Sequence, residues 1–205
     1  MIKVLLHPCY FGSISFWLTI LNADKMVFEV CDNYQKQTQR NRSNILAANG
    51  RLTLTVPVNF TQKNRQLYKN VKIASTNWQS QHLKSLDSAY KMSPFYEYFI
   101  DDIIELLHKD YATLMELNIA SLKLVGELLG IPFHFQKTKM YNSNPSFLKD
   151  CRYLIQKNPV LPYQLKEYTQ VFSTKYGFTP NLCILDLLFN EGPNAENYLR
   201  KHQLR

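Results

Sequence analysis

The apolar positions at the start of the chain set out a short buried strand over residues 4–6 and a second over residues 26–30. Between them Ile14, Trp17, Leu18 and Leu21 form one stripe at helical spacing. Strand, loop, helix, strand is a unit that closes right-handed with its strands parallel. Pro8 and Gly12 shape the loop, Ser13 is placed to cap a helix running through Asn22, and Asp24-Lys25 supplies the turn. The loop therefore lies at the carboxyl end of a strand, where open α/β sheets bind ligands. The helix start after Gly12 offers backbone N–H groups to an anion.

Residues 51–58 alternate, with Leu52, Leu54, Val56 and Val58 on one face, and Asn49-Gly50 just before them is a hairpin signal. That turn pairs the strand with residues 43–46 and puts Arg40 and Arg42 at its start. Residues 59–70, with Lys63, Arg65 and Lys69, read as a loop, and residues 71–74 as a strand. From Asn77 the period becomes helical. A first helix carries Trp78, His82, Leu83, Leu86 and Tyr90, and Ser93-Pro94 opens a second with Phe95, Phe99, Ile103 and Leu107. Asp110 is placed to cap a third that reaches Leu129 and stops at Gly130 and Pro132. Residues 133–135 read as a strand, residues 145–166 as irregular chain marked by Pro159 and Pro162, and residues 183–189 as a last helix ending near Gly192-Pro193. The fold class expected is α/β, a small mixed or parallel sheet with flanking helices, as a single domain over 1–205 with a helical subdomain at about 77–130.

Composition narrows this picture. At 45% hydrophobic, with thirteen tyrosines, twelve phenylalanines and only six glycines, the chain can build a core and is no disordered linker. A net charge of +8 favours an anionic partner, whether an anionic small molecule, a phosphate-bearing substrate or nucleic acid. Lysines scattered along the chain also make an ordinary solvated surface. The opening apolar run is broken by Lys3 and ends at His7-Pro8, too short for a secretory signal, and no run approaches the length of a membrane span. Cys9, Cys31, Cys151 and Cys183 form no CxxC pair, and no zinc ligand set is visible, so a cytoplasmic protein with free thiols is expected.

Candidate chemistry gathers in HPCYFGSISFW, from His7, and NYQKQTQRNRSNI, from Asn33. His7 and Cys9 are two apart, so in extended backbone they share a side, and an imidazole there can activate a thiol as a nucleophile. The alternative is a small buried thiol. Arg40 and Arg42 share the same spacing and, with Lys36 nearby, can clamp a phosphate or carboxylate through planar forks; the alternative is a charged edge strand. Tyr10 fits a wall of the same site or the loop's base. His82 reads as a partly buried, hydrogen-bonded histidine more than as a general base, or as a substrate contact. Glu29 and Asp32 flank the end of the second strand, a usual place for acids that hold a substrate amine; the alternative, and the more common case, is a solvated surface. Asn181, Asp186, Asn190 and Glu191 read as caps and turns.

These residues resemble the WbqC-like family, whose opening commonly reads Gln-Pro-x-Tyr-Phe-Pro before an aromatic-rich helix and a basic segment ending in Arg-Asn-Arg. His7-Pro8-Cys9-Tyr10-Phe11 and Arg40-Asn41-Arg42 stand at those places, and the resemblance continues through residues 54–58, the helix over 78–90, Ser93-Pro94-Phe95 and residues 180–193. His7 replaces a frequent glutamine and Gly12 a frequent proline. Members occur among genes for surface polysaccharides such as O-antigen, and some have been proposed as glycine transferases. The resemblance thus implies a transferase moving an acyl or aminoacyl group, such as glycyl, onto a sugar precursor. Pro8, Asn41 and the arginines would then lie at the substrate, and a nucleotide-linked sugar, an aminoacyl-adenylate or charged tRNA would be a fitting donor. The alternative is a non-catalytic module binding nucleic acid or another anionic ligand, and a third reading is a scaffold for a biosynthetic complex. No cofactor fingerprint is visible.

Overall fold

The computed structural model describes residues 1–60, 65–157, 159–161 and 164–202. Strand β1 (Lys3–Leu6) runs through the loop of residues 7–12 into helix α1 (Ile14–Leu21), which returns the chain to β2 (Lys25–Phe28). The two strands pair in parallel, from Lys3 opposite Lys25 to Leu6 opposite Phe28. A hairpin follows, β3 (Arg42–Ala47) against β4 (Gly50–Thr55), and then a short antiparallel pair, β5 (Val58–Asn59) with β6 (Lys72–Ile73). Three helices come next: α2 (Trp78–Tyr90), α3 (Tyr96–His108) and α4 (Leu114–Leu128). Strands β7 (Phe135–Lys137) and β8 (Lys149–Asp150) then join the first sheet, which has the order β7-β2-β1-β8 with every pair parallel. The chain closes with α5 (Ser173–Tyr176), α6 (Ile184–Glu191) and α7 (Ala195–Arg200). The fold is mixed α/β, a parallel four-stranded sheet with flanking helices.

Helix α1 is enclosed on all sides: every residue from Ile14 to Ile20 is buried, with α6 and α7 packed against it. That enclosure overturns the expectation of an open helix start. The Ile14 N–H donates to the Leu182 carbonyl at 3.0 Å and the Ser15 N–H to Asn181 Oδ1 at 2.9 Å. Asn181, at φ +55°, thus caps the helix from a distant segment, whereas the Ser13 side chain makes no cap and instead meets Ser15 Oγ. These N–H groups are spoken for within the chain. At α4 the cap is Thr113, not Asp110: Thr113 Oγ1 accepts from the Glu116 N–H at 3.2 Å, and Glu116 Oε2 accepts from the Ala112 N–H at 3.0 Å.

Residues 145–166 hold more order than their pattern shows. Two of them form β8, whose Lys149 and Asp150 pair with Val4 and Leu5, and a single turn follows over Arg152–Ile155. On the hairpin Leu54 and Val56 are buried while Leu52 is exposed, so the apolar face is shorter than its alternation suggests. Lys63 and Pro162 lie outside the described residues. All four cysteines are free thiols, Cys31 half-buried and the other three buried. Among the described residues no helix is long and apolar enough to cross a membrane.

Candidate functional site

Three neighbouring parallel strands release charged side chains at their carboxyl ends. β1 leads into His7, β2 into Glu29 and Asp32, and β8 ends at Asp150, two residues before Arg152. His7, Asp32, Asp150 and Arg152, together with Arg40, line a cleft of about 350 Å³ that Tyr141, Tyr153 and Gln156 also line. This is the edge at which α/β sheets hold ligands, and β1 lies where the chain order departs to both sides, toward β2 and toward β8.

Arg40 is the pivot. Its guanidinium is 1% exposed, with Nη2 2.9 Å from Asp32 Oδ2 and 3.0 Å from His7 Nε2. His7 Nε2 is itself 3.3 Å from Asp32 Oδ2, so it faces a donor and an acceptor at once. An uncharged imidazole then has two settings. With its proton on Nε2 it donates to Asp32, and with its proton on Nδ1 it leaves Nε2 to accept from Arg40. Burial lowers the His7 pKa, and the Arg40 charge opposes the imidazolium, so the neutral ring prevails although Asp32 pulls the other way. Burial alone would raise the Asp32 carboxyl. The hydrogen bond from His7 and the charges of His7 and Arg40 outweigh it and hold Asp32 below its usual value.

On the opposite wall Arg152 grips Asp150 with two contacts, Nε to Oδ1 at 2.9 Å and Nη2 to Oδ2 at 2.6 Å, and donates to the Asn142 carbonyl at 2.9 Å. Beneath it Glu29 is fully buried. Its Oε1 accepts from the Cys31 N–H and the Thr138 hydroxyl, while Oε2 has no hydrogen bond and faces Arg152 Nη1 at 3.8 Å. His7 Nδ1 and Arg40 Nε and Nη1 are also buried without hydrogen-bond partners, although the Tyr68 ring, 5.3 Å from Arg40 Cζ, offers its face to the cation. Native interiors rarely leave polar atoms unpaired, and here three of them belong to two residues that line one cleft, His7 and Arg40, with Glu29 Oε2 beneath.

The scaffold explains how the two sequence motifs come together. Phe11 and Gly12 both take positive φ, +60° and +79°, and a Cβ on Gly12 would stand 2.8 Å from Phe16 Cδ1 and 2.9 Å from Trp17 Nε1. Only glycine fits there. Trp17 Nε1 donates to the Phe11 carbonyl at 2.8 Å, and the Phe11 N–H donates to Ser121 Oγ of α4 at 3.2 Å. One turn earlier on α4, Asn118 Nδ2 donates to the Arg40 carbonyl at 2.5 Å and to the Tyr68 hydroxyl, which in turn donates a hydrogen bond to the Pro8 carbonyl at 2.9 Å. Helix α4 thus pins the loop of residues 7–12 and the Arg40 segment to one another.

Several expectations need correcting at this point. Cys9 is fully buried away from the cleft, and burial pushes its thiol pKa well up, so it is no activated nucleophile. Tyr10 is buried, donating to His82 Nδ1 at 3.0 Å, while His82 Nε2 faces the Thr55 carbonyl at 3.2 Å. The carbonyl fixes the proton on Nε2, and burial depresses the His82 pKa to about 4. Neither residue lines the charged cleft. Pro8 contributes only its carbonyl to the Tyr68 bond, and Asn41 Nδ2 donates to the Val56 carbonyl at 2.9 Å. Lys36 is exposed, with Nζ 5.0 Å from the centre of the Phe60 ring. The two-arginine clamp separates: Arg40 faces the charged cleft, and Arg42, on β3, lines a different one. Their segment is not a continuous strand, since β3 begins at Arg42, and so the alternation that would aim both forks one way does not hold.

Asp150, Arg152, Tyr68, Asn118 and Ser121 were not singled out by sequence reasoning. An asparagine and a serine, Asn118 and Ser121, among Leu114, Leu117, Leu122 and Val125 on a mainly apolar face are the available signal for both residues. Asp150 and Arg152 lie in a segment too short for any period to mark.

The fold and site define a mixed α/β protein with a charged cleft at the carboxyl edge of its parallel sheet. The chain belongs to the WbqC-like protein family, whose profile matches residues 7–158, a span that opens on His7 and contains every charged residue of the cleft. It is similar to the uncharacterized protein Rv1507c of Mycobacterium tuberculosis, at 24% identity over 220 residues, covering 93% of this chain and 91% of that protein. No solved structure matches.

Proposed function

We propose that this protein is a transferase of surface-polysaccharide biosynthesis that moves a small aminoacyl group, glycyl in the reading the family resemblance implies, onto a sugar precursor at the cleft between His7 and Arg152. One observation carries the reading: acids and arginines line the same walls. Asp32 and Asp150 suit the ammonium of an aminoacyl group, and Arg152, the cation of the opposite wall, suits its carboxyl oxygen or a phosphate ester. A purely anionic ligand would meet two carboxylates there, which disfavours an extended nucleic-acid backbone. His7 is the base we assign. Uncharged, it takes a proton from the attacking sugar hydroxyl when Arg40 releases Nε2, and Asp32 stabilises the imidazolium that forms. As the hydroxyl oxygen bonds the aminoacyl carbonyl carbon, that carbon's bond to the donor's oxygen breaks, and the departing oxygen leaves with the donor and takes the proton back from His7.

A thermal-shift panel of amino acids, amines and sugar phosphates tests the reading, with wild type beside Asp32→Asn and Arg152→Gln. Compounds that join an amine to an anionic group should raise the melting temperature of the wild type and lose that effect in both variants. If only simple anions stabilise the protein, and Asp32→Asn responds as the wild type does, the aminoacyl reading fails. A non-catalytic anion-binding module would then take its place.

A further inference from the structure

Beside the charged cleft lies a second one of about 130 Å³, lined by Arg42, Arg51 and Lys157 together with Gln37, Thr38, Gln39, Asn44 and Thr53. We propose that this second cleft is a phosphate subsite, which seats a phosphoryl or diphosphoryl group of the substrate whose other end enters the charged cleft. The proposal rests on the transferase reading for its second half only, since the anion site stands on its own residues.

Charge separates the two clefts. The first mixes Asp32 and Asp150 with its arginines, whereas the second presents three cations and, among the described residues, no carboxylate. None of its three cations forms a salt bridge among the described residues. Arg42 Nε is buried without a hydrogen-bond partner, so one face of that guanidinium is held against the protein with its donor unused. The hairpin supplies the convergence. Arg42 stands opposite Thr55, Asn44 opposite Thr53, and Leu46 opposite Arg51, so Arg42, Asn44, Thr53 and Arg51 project from one face of β3 and β4. The Thr53 hydroxyl donates to Asn44 Oδ1 at 2.8 Å, which orients the Asn44 amide and leaves its hydrogens for another acceptor. Guanidinium and amide donors around a small concave space, with no acid present, are the chemistry that recognises phosphate.

Position adds the link to catalysis. The ridge between the clefts is made by two short segments tied together through the Gln39 N–H and the Ile155 carbonyl at 2.7 Å. Gln35, Arg40 and Gln156 face the first cleft from that ridge, and Gln37 to Gln39 with Lys157 face the second. A nucleotide-linked or otherwise phosphorylated substrate lying over this ridge would place its anion among Arg42, Arg51 and Lys157 and its reacting group beside His7 and Asp32.

Inorganic pyrophosphate is the direct probe, titrated calorimetrically into the full chain at low and at moderate salt. Arg51→Gln and Lys157→Gln alter exposed side chains and should each weaken binding by about tenfold, and Arg42→Gln by about ten- to one-hundredfold, the range of one charge-assisted hydrogen bond. Asp32→Asn should leave pyrophosphate affinity within about twofold, because Asp32 belongs to the other cleft; its effect on amine-bearing ligands tests the transferase reading separately. Lys123→Gln, at an exposed position on α4 that lines neither cleft, should have no effect. Failure of the wild type to bind pyrophosphate at millimolar concentration overturns the subsite. So does a loss in Lys123→Gln equal to that in Lys157→Gln, which would show a diffuse attraction to the basic surface, or unchanged affinity in Arg51→Gln and Lys157→Gln.

Discussion

Replacing Arg40 with methionine keeps much of the side chain's length and removes its charge, so it isolates what the guanidinium does. The wild-type group is 1% exposed and bound to an Asp32 carboxylate that is 12% exposed. Breaking a fully buried ion pair by deleting one partner costs about 3–5 kcal/mol, because the remaining charge stays uncompensated. Asp32 reaches the cleft and its water, and His7 can still donate to it, which lowers the expected loss to about 2–4 kcal/mol. For a chain of this length that corresponds to a fall in melting temperature of roughly 5–12 °C. The Arg40 carbonyl keeps its bond from Asn118 in the variant, so the segment should stay docked. Denaturant titration followed by tryptophan fluorescence measures the loss, and the double variant Arg40→Met with Asp32→Asn completes a cycle in which neutralising Asp32 should restore about 1–3 kcal/mol. A single variant within about 0.5 kcal/mol of wild type, or strict additivity in the double, would refute the pivot role of Arg40.

Other outcomes follow from the same contacts. The depressed His82 pKa means that the folded state refuses a proton the unfolded state accepts below about pH 6.5, so this contribution is intact above that pH and is lost as pH falls toward about 4. Stability should drop by about 2–4 kcal/mol across that window, and His82→Gln should flatten the profile there. Asn118→Ala leaves the Arg40 carbonyl and the Tyr68 hydroxyl short of a donor and should cost about 2–4 kcal/mol in chemical denaturation; a loss below 1 would show that α4 does not pin the site. Gly12→Ala, forced into positive φ against Phe16 and Trp17, should destabilise by about 2–4 kcal/mol in the same assay. In the native protein a thiol reagent should modify Cys31 first and Cys9 only on unfolding, and Cys9→Ala should keep ligand-induced stabilisation.

The opening unit was legible because its residues obey two periods at once, the alternation of a strand and the stripe of a helix, and β1, α1 and β2 form where those periods place them. The hairpin was legible from Asn49-Gly50, and Gly50 does take a φ of +99°. The edge strand β8 was not, since two residues carry no period and its partner β1 is more than a hundred positions away. The same reason hid half of the site. Asp150 and Arg152 acquire meaning only when β8 docks beside β1. Arg40 stood out by its neighbours in sequence, but its solitary orientation toward His7 and Asp32 depends on β3 beginning at Arg42, a boundary that hydrophobic pattern does not mark. Cys9 stands out in the sequence by its spacing of two from His7, and Tyr10 by its place in the same loop. Burial against α2, α4 and α6 decides their role, and burial is a tertiary property.

The central claim is that the His7–Arg152 cleft recognises an amine and an anion together, and calorimetry with three small probes tests it most directly: glycine, glycinamide, which keeps the ammonium without the carboxylate, and acetate, which keeps the carboxylate alone. The account predicts that glycine binds at least about tenfold tighter than either fragment, that Asp32→Asn brings glycine down to the level of acetate, and that Arg152→Gln brings it down to the level of glycinamide. Acetate binding as tightly as glycine, or glycine binding unchanged in Asp32→Asn, would contradict it.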